Sequence, residues 1–141
     1  MRKQEQKLWD RMRHALKDQV YLERIENVVT PGRPDVDVMH NGITLPVELK
    51  SIPAWPRKST TPVLGRAHGL SQNQLNWWLQ WQRWGGRGFI LVSVAGELFA
   101  MPGKFSEEIN SCNVAHFVAR RVTWAEFVLA IKQEAECVQR P

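Results

Sequence analysis

The chain has 141 residues, about the length of one domain, and its 43% hydrophobic and 23% charged content is ordinary for a globular protein. A net charge of +5 favours acidic partners such as nucleic acid. No apolar run approaches the roughly 20 residues that span a bilayer, and the N-terminus lacks the apolar segment of a signal peptide. We therefore expect a cytoplasmic protein. Cys112 and Cys137 have no zinc-site spacing and no secretory context, so both are expected to be reduced.

The first predicted element is an amphipathic helix over residues 3–19. Its apolar residues recur at helical spacing, and Glu5 lies on the same side as they do, so the Glu5 carboxylate is expected to point toward the protein body. Glu5 is either a functional acid or a first-turn glutamate that the helix dipole favours. Residues 20–29 follow as a predicted strand. The apolar stripe of the helix consists of Leu8, Trp9, Met12, Leu16 and Val20.

A β-hairpin is predicted over residues 35–40 and 43–50. The two segments flank Asn41-Gly42, the strongest short signal for a hairpin, because a type I′ turn needs positive φ at both central residues. With these two residues as the loop, the numbers of every cross-strand pair add to 83. The pairing therefore places Asp35 opposite Glu48.

Side-chain alternation divides this hairpin into an apolar face and a charged face. The charged face carries Asp35, Asp37, Glu48 and Lys50. Directly opposed carboxylates destabilise a sheet, and a divalent cation between them, Mg²⁺ or Mn²⁺, is the simplest remedy. Lys50 is then suited to stabilise a nucleophilic hydroxide or a pentacoordinate phosphate. The alternative is a solvated polar face with no catalytic role. The apolar face consists of Val36, Val38, Ile43, Leu45, Val47 and Leu49.

The segment 51–69 is a predicted loop with three prolines and two glycines. Its cations Arg57, Lys58 and Arg66 are suited to follow a phosphate backbone, or else the segment is a disordered basic loop. A helix follows over residues 71–84, opened by a capping box of Ser71 and Gln74.

The second half of the chain contains fewer clear signals. Residues 89–95 form an apolar run typical of a central strand, and 97–101 are predicted to pair with it as a hairpin. Residues 102–122 give no readable pattern, and a final helix starts at the capping box of Thr123 with Glu126. The whole order is helix, three strands, helix, two strands and a C-terminal helix, a mixed α/β fold around one sheet.

Four of the seven tryptophans, Trp77, Trp78, Trp81 and Trp84, lie in the helix 71–84. A single domain of this size is not expected to bury every face of such a helix. Core packing accounts for some of these rings, and the others are candidates for a dimer contact or for a platform that stacks unpaired bases.

The hairpin residues Pro34-Asp35 and Glu48-Leu49-Lys50 resemble the motif of the PD-(D/E)XK nuclease superfamily. The nearer resemblance is to the VRR-NUC group and related small phage nucleases, in which G-x-P-D precedes E-x-K and an L-S/T-x-x-Q helix start follows. Here those segments are Gly32 to Asp35 and Leu70 to Gln74. The resemblance covers roughly residues 3–101. It implies a restriction-endonuclease-like core, a mixed central β-sheet flanked by helices, in one nuclease domain over 1–141 with a C-terminal extension whose helix spans about 123–137.

The resemblance also implies roles for individual residues. Asp35 and Glu48 would bind the metal with the Leu49 carbonyl, and Lys50 would assist the attacking water. Gln74 would lie beside the active site, in addition to or instead of its capping role. Glu5 would match the first-helix glutamate of the family, in competition with Glu23 and Glu26. The residues expected to contact nucleic acid are Arg33, Arg57, Lys58 and Arg66.

The function implied is that of a Mg²⁺-dependent DNA endonuclease that leaves 5′-phosphate and 3′-hydroxyl ends. Small nucleases of this type are often homodimers that cut branched DNA such as four-way junctions, so we expect a structure-selective homodimer of phage or mobile-element type. The alternatives are a sequence-specific homing or restriction-type endonuclease and a non-catalytic nucleic-acid-binding protein on a nuclease-like scaffold.

Overall fold

A computed structural model describes residues 2–26 and 29–139 of the chain. Within these described residues, five strands and five helices follow one another, with two 3₁₀ turns, Gly103–Phe105 and Ile109–Ser111, between β5 and α4. In chain order the elements are α1 Lys3–Leu16, β1 Tyr21–Arg24, β2 Val36–His40, β3 Ile43–Ile52, α2 Gly65–His68, α3 Gln72–Arg83, β4 Phe89–Val94, β5 Glu97–Pro102, α4 Val114–Val118 and α5 Trp124–Gln139.

The strands form one sheet in the order β1-β2-β3-β4-β5. All neighbours are antiparallel except β3 and β4, which are parallel because α2 and α3 carry the chain back between them. The turn between β2 and β3 has φ of 52° at Asn41 and 77° at Gly42, as a type I′ turn requires. The predicted mixed α/β order is confirmed.

The two faces of the sheet carry separate apolar clusters. On the first face, α1 and α5 cover the apolar side of the β2–β3 hairpin, and Met12 and Phe127 are fully buried there. On the second face, α3 and the turns after β5 cover β4 and β5, with Trp78, Ile109 and Phe117 fully buried. The charged side of the hairpin therefore faces the layer that contains α3.

Several element boundaries differ from those predicted. Helix α1 ends at Leu16 rather than 19, because the chain makes a further turn in which Leu16 accepts the N–H of Gln19. Strand β1 covers only Tyr21–Arg24 of the predicted 20–29, of which 27 and 28 lie outside the described residues. The C-terminal helix runs from Trp124 to Gln139, slightly beyond the predicted 123–137.

The segment 51–69 is not a simple loop. Strand β3 continues to Ile52, a one-turn helix occupies Gly65–His68, and Val63 and Leu64 are buried in the second cluster. The apolar side chains of this segment were too widely spaced to give a periodic signal. No helix in the described part of the chain is long and apolar enough to cross a membrane.

Candidate active site

The β2–β3 hairpin positions the predicted catalytic residues. Its register runs from the turn to Val36 opposite Val47, so the predicted cross-strand sum of 83 is observed. Asp35 is the residue immediately before β2, and the same register places it next to Glu48 on the neighbouring strand. The Leu49 N–H donates to Asp35 Oδ2 at 3.1 Å, which holds this carboxylate against β3.

Glu48 is a buried carboxylate with only 1% of its surface exposed. Burial raises the pKa of the Glu48 carboxyl well above its usual range, and charge repulsion from the neighbouring Asp35 carboxylate raises it further. Lys50 acts in the opposite direction and lowers the pKa of Glu48. Glu48 Oε2 is buried without a hydrogen-bond partner among the described residues. Such a group is costly to keep unless something positive binds it.

Gln74 connects Glu48 to Lys50. Its Nε2 donates to Glu48 Oε1 at 3.1 Å, and its Oε1 accepts from Lys50 Nζ at 3.1 Å. The same Oε1 accepts the N–H of Ser71 at 2.9 Å, and the Gln74 N–H donates to Ser71 Oγ at 3.2 Å, which completes the capping box of α3. One side chain therefore caps the helix and bridges the two charged groups. Lys50 Nζ lies 3.9 Å from Glu48 Oε1.

A cavity of about 250 Å³ opens over these groups. Glu5 lines it from α1, and the Glu5 charge is one of the causes that raise the pKa of Glu48. Glu23 and Glu26, the competing glutamates, are exposed and do not line this cavity, and Glu26 pairs with Arg24 at 3.5 Å. The geometry thus brings Glu5 to the carboxylate pair. The cavity is lined by Arg2, Glu5, Asp35, Glu48, Lys50, Arg66, Ala67, Gly69, Ser71 and Gln74.

The predicted nucleic-acid contacts occupy three different environments. Arg66, on α2, lines the cavity, whereas Arg57 and Lys58 are exposed on the preceding loop and do not line it. Arg33 is partly buried, and its Nη2 donates to both Asp37 oxygens at 2.7–2.8 Å. Arg2 also lines the cavity, and no motif in the sequence marks this residue.

Arg33 and Gly32 attach the segment before Asp35 to α3. The Arg33 guanidinium lies 5.2 Å from the centroid of the Trp77 ring. Gly32 has φ of 81° and lies so close to the start of α3 that a Cβ there would collide with the backbone of Asn73 and Gln74. Asp35 and Gln74 are therefore held together through backbone contact as well as through Glu48.

Asn110 is a supporting residue that sequence reasoning missed. Its Oδ1 accepts the Leu70 N–H at 2.7 Å, and its Nδ2 donates to the Leu70 carbonyl at 2.9 Å. The Val63 N–H donates to the Cys112 carbonyl at 2.9 Å nearby. Val63 precedes α2, and Leu70 follows α2 and comes one residue before the cap of α3. The bonds therefore fix the chain on both sides of α2 to the 3₁₀ turn that contains Asn110. No local pattern marks Asn110, because its partner is 40 positions away.

The carboxylate pair is compatible with a hard divalent cation. Within residues 2–26 and 29–139 no cluster of three or more histidine, cysteine, aspartate or glutamate side chains is arranged around a common metal position. Two carboxylates and a backbone carbonyl are available instead. The N–H and C=O of a strand residue point to the same side of the strand, and the Leu49 N–H points toward Asp35. The Leu49 carbonyl therefore also faces Asp35. Pro34 lies on that side too, but it has no N–H to donate to the carbonyl. With the unpartnered Glu48 Oε2, these oxygens suit Mg²⁺ or Mn²⁺.

The architecture matches that of a known nuclease. The structure of Hjc, a Holliday junction resolvase from the archaeal hyperthermophile Archaeoglobus fulgidus, superposes with a TM-score of 0.61 over 87% of this chain and 98% of that chain, at 12% sequence identity. Neither a protein-family model nor a curated protein sequence matches the chain. A likeness at this identity concerns the fold, and it confirms the predicted restriction-endonuclease-like core, a mixed sheet flanked by helices.

Proposed function

We propose that the protein is a metal-dependent DNA endonuclease of the PD-(D/E)XK type. The observation that carries this proposal is the buried Glu48 carboxylate, which lies beside Asp35 with one oxygen unpartnered in the described structure and with Lys50 Nζ 3.9 Å away. A site evolved for stability alone would not bury a glutamate directly beside a second, partly buried carboxylate. A site that receives a divalent cation needs both carboxylates.

Asp35, Glu48 and the Leu49 carbonyl would hold the metal, which when bound lowers the pKa of water and neutralises charge on a phosphodiester. Lys50 would supply positive charge next to the attacking oxygen and the pentacoordinate phosphate. Gln74 keeps the Lys50 ammonium in place by accepting from Nζ, and it keeps the Glu48 carboxylate in place by donating to Oε1. Attack by water with departure of the 3′ oxygen leaves a 5′-phosphate and a 3′-hydroxyl.

The charge distribution supports a nucleic-acid substrate. Residues 51–96 contain five arginines and lysines and no aspartate or glutamate, so all fourteen acidic residues lie on either side of this stretch. The stretch includes α2 and α3, which flank the cavity, and Arg66 and Arg2 lie at the cavity itself. Cations around a carboxylate pair are suited to phosphates on both sides of the cut.

We further propose that the substrate is branched DNA and that the enzyme acts as a homodimer. The likeness to a Holliday junction resolvase supports the choice of branched DNA, since no additional sequence-reading element is found beyond the sheet and its covering helices in the described residues. Two strands at a junction must be cut, so two copies would provide one active site for each strand.

The test is cleavage of end-labelled four-way junction, nicked and linear DNA with Mg²⁺ or with EDTA. We expect Mg²⁺-dependent cleavage that is fastest on the junction and is abolished in Asp35→Asn and Glu48→Gln. Absence of metal-dependent cleavage on every substrate would refute the enzyme proposal. Preferential cleavage of linear DNA at one sequence would instead favour a restriction-type enzyme.

Glu5 and Glu23 provide a matched pair of variants for the first-helix acid. Glu5 lines the cavity, whereas Glu23 is exposed on β1. Glu5→Gln should lower the cleavage rate, and Glu23→Gln should leave it unchanged. Equal rates in the two variants would remove Glu5 from the proposed site. Light scattering at micromolar concentration tests the dimer, which a purely monomeric mass would contradict.

A further inference from the structure

The face of α3 that carries Gln74 continues along the helix as a row of tryptophans. Trp77, Trp81 and Trp84 follow Gln74 at helical spacing and therefore share its side of the helix. The Trp77 and Trp81 rings are stacked, with centroids 5.1 Å apart and planes 20° from parallel. Trp77, Trp81 and Trp84 thus form an aromatic row. Its first ring, Trp77, contacts the guanidinium of Arg33, two residues before Asp35, and the row leads from there away from the candidate active site.

Trp84, the last ring of the row, is exposed. Its exposed fraction is 81%, whereas Trp78 on another side of the same helix is fully buried. A groove of about 290 Å³ lies between Trp84 and the β2–β3 turn, near the lower limit of ordinary ligand sites. The groove is lined by Gly42, Ile43, Thr44, Trp81, Trp84, Gly85, Gly86, Arg87 and Val138.

The charges around this groove favour a polyanion over an apolar partner. The groove belongs largely to the stretch 51–96, which has no acidic residue. The Arg83 guanidinium lies 5.8 Å from the Trp84 ring centroid, and Arg87, half exposed, lines the groove while pairing with Glu134 at 2.9 Å. An exposed aromatic face with cations beside it is the usual combination for stacking a base and holding its phosphate.

We propose that this groove binds an unpaired base of the DNA strand that enters the active site, with the base stacked on Trp84. The inference rests on the proposed nuclease function, because it assumes a DNA strand at Gln74. Trp84 lies ten positions after Gln74, a rise of about 15 Å at 1.5 Å per residue, or about four base pairs of B-form DNA at 3.4 Å each. The enzyme would therefore favour DNA that is unpaired a few nucleotides from the cut, as it is at a branch point that opens.

The test measures binding of labelled DNA by fluorescence anisotropy in EDTA, where no cleavage occurs. Trp84→Ala should weaken binding of a short single-stranded oligothymidylate by about 5- to 140-fold, the effect of losing one stacked base. Binding of a blunt duplex should change by less than about twofold, because its bases are not available for stacking. Trp84→Tyr should restore most of the single-strand affinity, since it retains an aromatic face.

Leu129→Ala is the matched control, because Leu129 is an apolar side chain, 56% exposed, on the outer face of α5. It should bind both DNAs as the wild type does. Unchanged single-strand binding in Trp84→Ala, or equal losses on single strand and duplex, would overturn the proposal. The proposal would also be overturned if Trp84→Ala changed the protein from dimer to monomer in light scattering without changing its affinity for single strands. That result would mean that the groove contacts a second copy of the chain. Failure of the nuclease function would appear separately, as absent cleavage by the wild-type protein with Mg²⁺.

Discussion

Replacing Glu48 by glutamine should make the metal-free protein more stable. In the wild-type protein Glu48 Oε1 accepts from Gln74 while Oε2 is buried without a partner in the described structure, beside the Asp35 carboxylate. A glutamine can keep the Oε1 acceptor and place its amide N–H₂ where Oε2 was, where it can donate to Asp35. The substitution removes an unsatisfied buried acceptor and a like-charge contact without changing the shape of the side chain.

The expected gain is about 1–2 kcal/mol, because an unsatisfied buried polar group costs about 1–3 kcal/mol and the lost attraction to Lys50 offsets part of that. For a chain of this size, 1 kcal/mol shifts the melting temperature by roughly 3 °C, so Glu48→Gln should melt about 3–6 °C higher than the wild type in EDTA. Glu136→Gln, at an exposed position on α5, is the control and should melt with the wild type.

The stability gain should depend on pH in a defined direction. The pKa of Glu48 in the folded protein is raised above its unfolded value of about 4.3, so between these two pKa values the folded state holds a proton that the unfolded state has lost. The stability of the wild-type protein therefore falls as the pH rises through that window. The stability of Glu48→Gln should not show this fall, because the variant lacks the titrating carboxyl. The difference in melting temperature should be small near pH 5 and larger at pH 8, as measured by calorimetry in EDTA.

In saturating Mg²⁺ the wild-type protein should be more stable than Glu48→Gln, the reverse of the result in EDTA. A metal that binds only the folded state stabilises it by about 2.7 kcal/mol at 100 times its Kd, and the variant has lost a ligand for that metal. If Glu48→Gln is less stable than the wild type in EDTA at pH 8, the Asp35–Glu48 pair does not destabilise the metal-free protein and the reasoning is refuted. If the difference in melting temperature does not change with pH, its cause is not the charge of Glu48.

Three other variants test the surroundings of the pair. Lys50→Met, which keeps the apolar stem and removes the charge, should lower the cleavage rate by about 10²–10³-fold while calorimetric Mg²⁺ binding persists. Asn110→Ala should lower the free energy of unfolding by about 1–3 kcal/mol, because the Leu70 backbone loses both bonds, and should also slow cleavage, whereas Asn76→Ala on the exposed side of α3 should do neither. Gly32→Ala should destabilise the protein by more than Gly96→Ala, since both glycines have φ above 80° but only Gly32 lies against neighbouring backbone; equal urea midpoints would contradict this contact.

The arrangement of Asp35, Glu48, Lys50 and Gln74 in the candidate site was predictable because it depends on local geometry. The Asn41-Gly42 turn fixes the hairpin register, and the register alone brings Asp35 next to Glu48 and puts Lys50 on the same side. The capping box likewise predicts where α3 starts, and so where Gln74 lies. Each step connects residues that are close in sequence or related by one hairpin.

The supporting part of the site was not predictable, because it depends on contacts between distant segments. Residues 102–122 contribute single buried anchors, Ile109 from a 3₁₀ turn and Phe117 from the short helix α4, and neither element is long enough to show apolar periodicity. Asn110 is polar and lies among other polar residues, and only its contact with Leu70 reveals its role. Arg2 similarly joins the cavity through the packing of α1 on the sheet.

The double use of Gln74 links the dynamics of α3 to the state of the active site. A single carboxamide oxygen accepts from both Lys50 Nζ and the Ser71 N–H, and the amide nitrogen of the same side chain donates to Glu48. We therefore expect fraying of the first turn of α3 to occur together with loosening of the Lys50 and Glu48 side chains. The rate of amide hydrogen exchange at Ser71 should therefore report on the candidate active site. A ligand that orders the Glu48 carboxylate should slow exchange of the Ser71 N–H, because Gln74 connects the two groups.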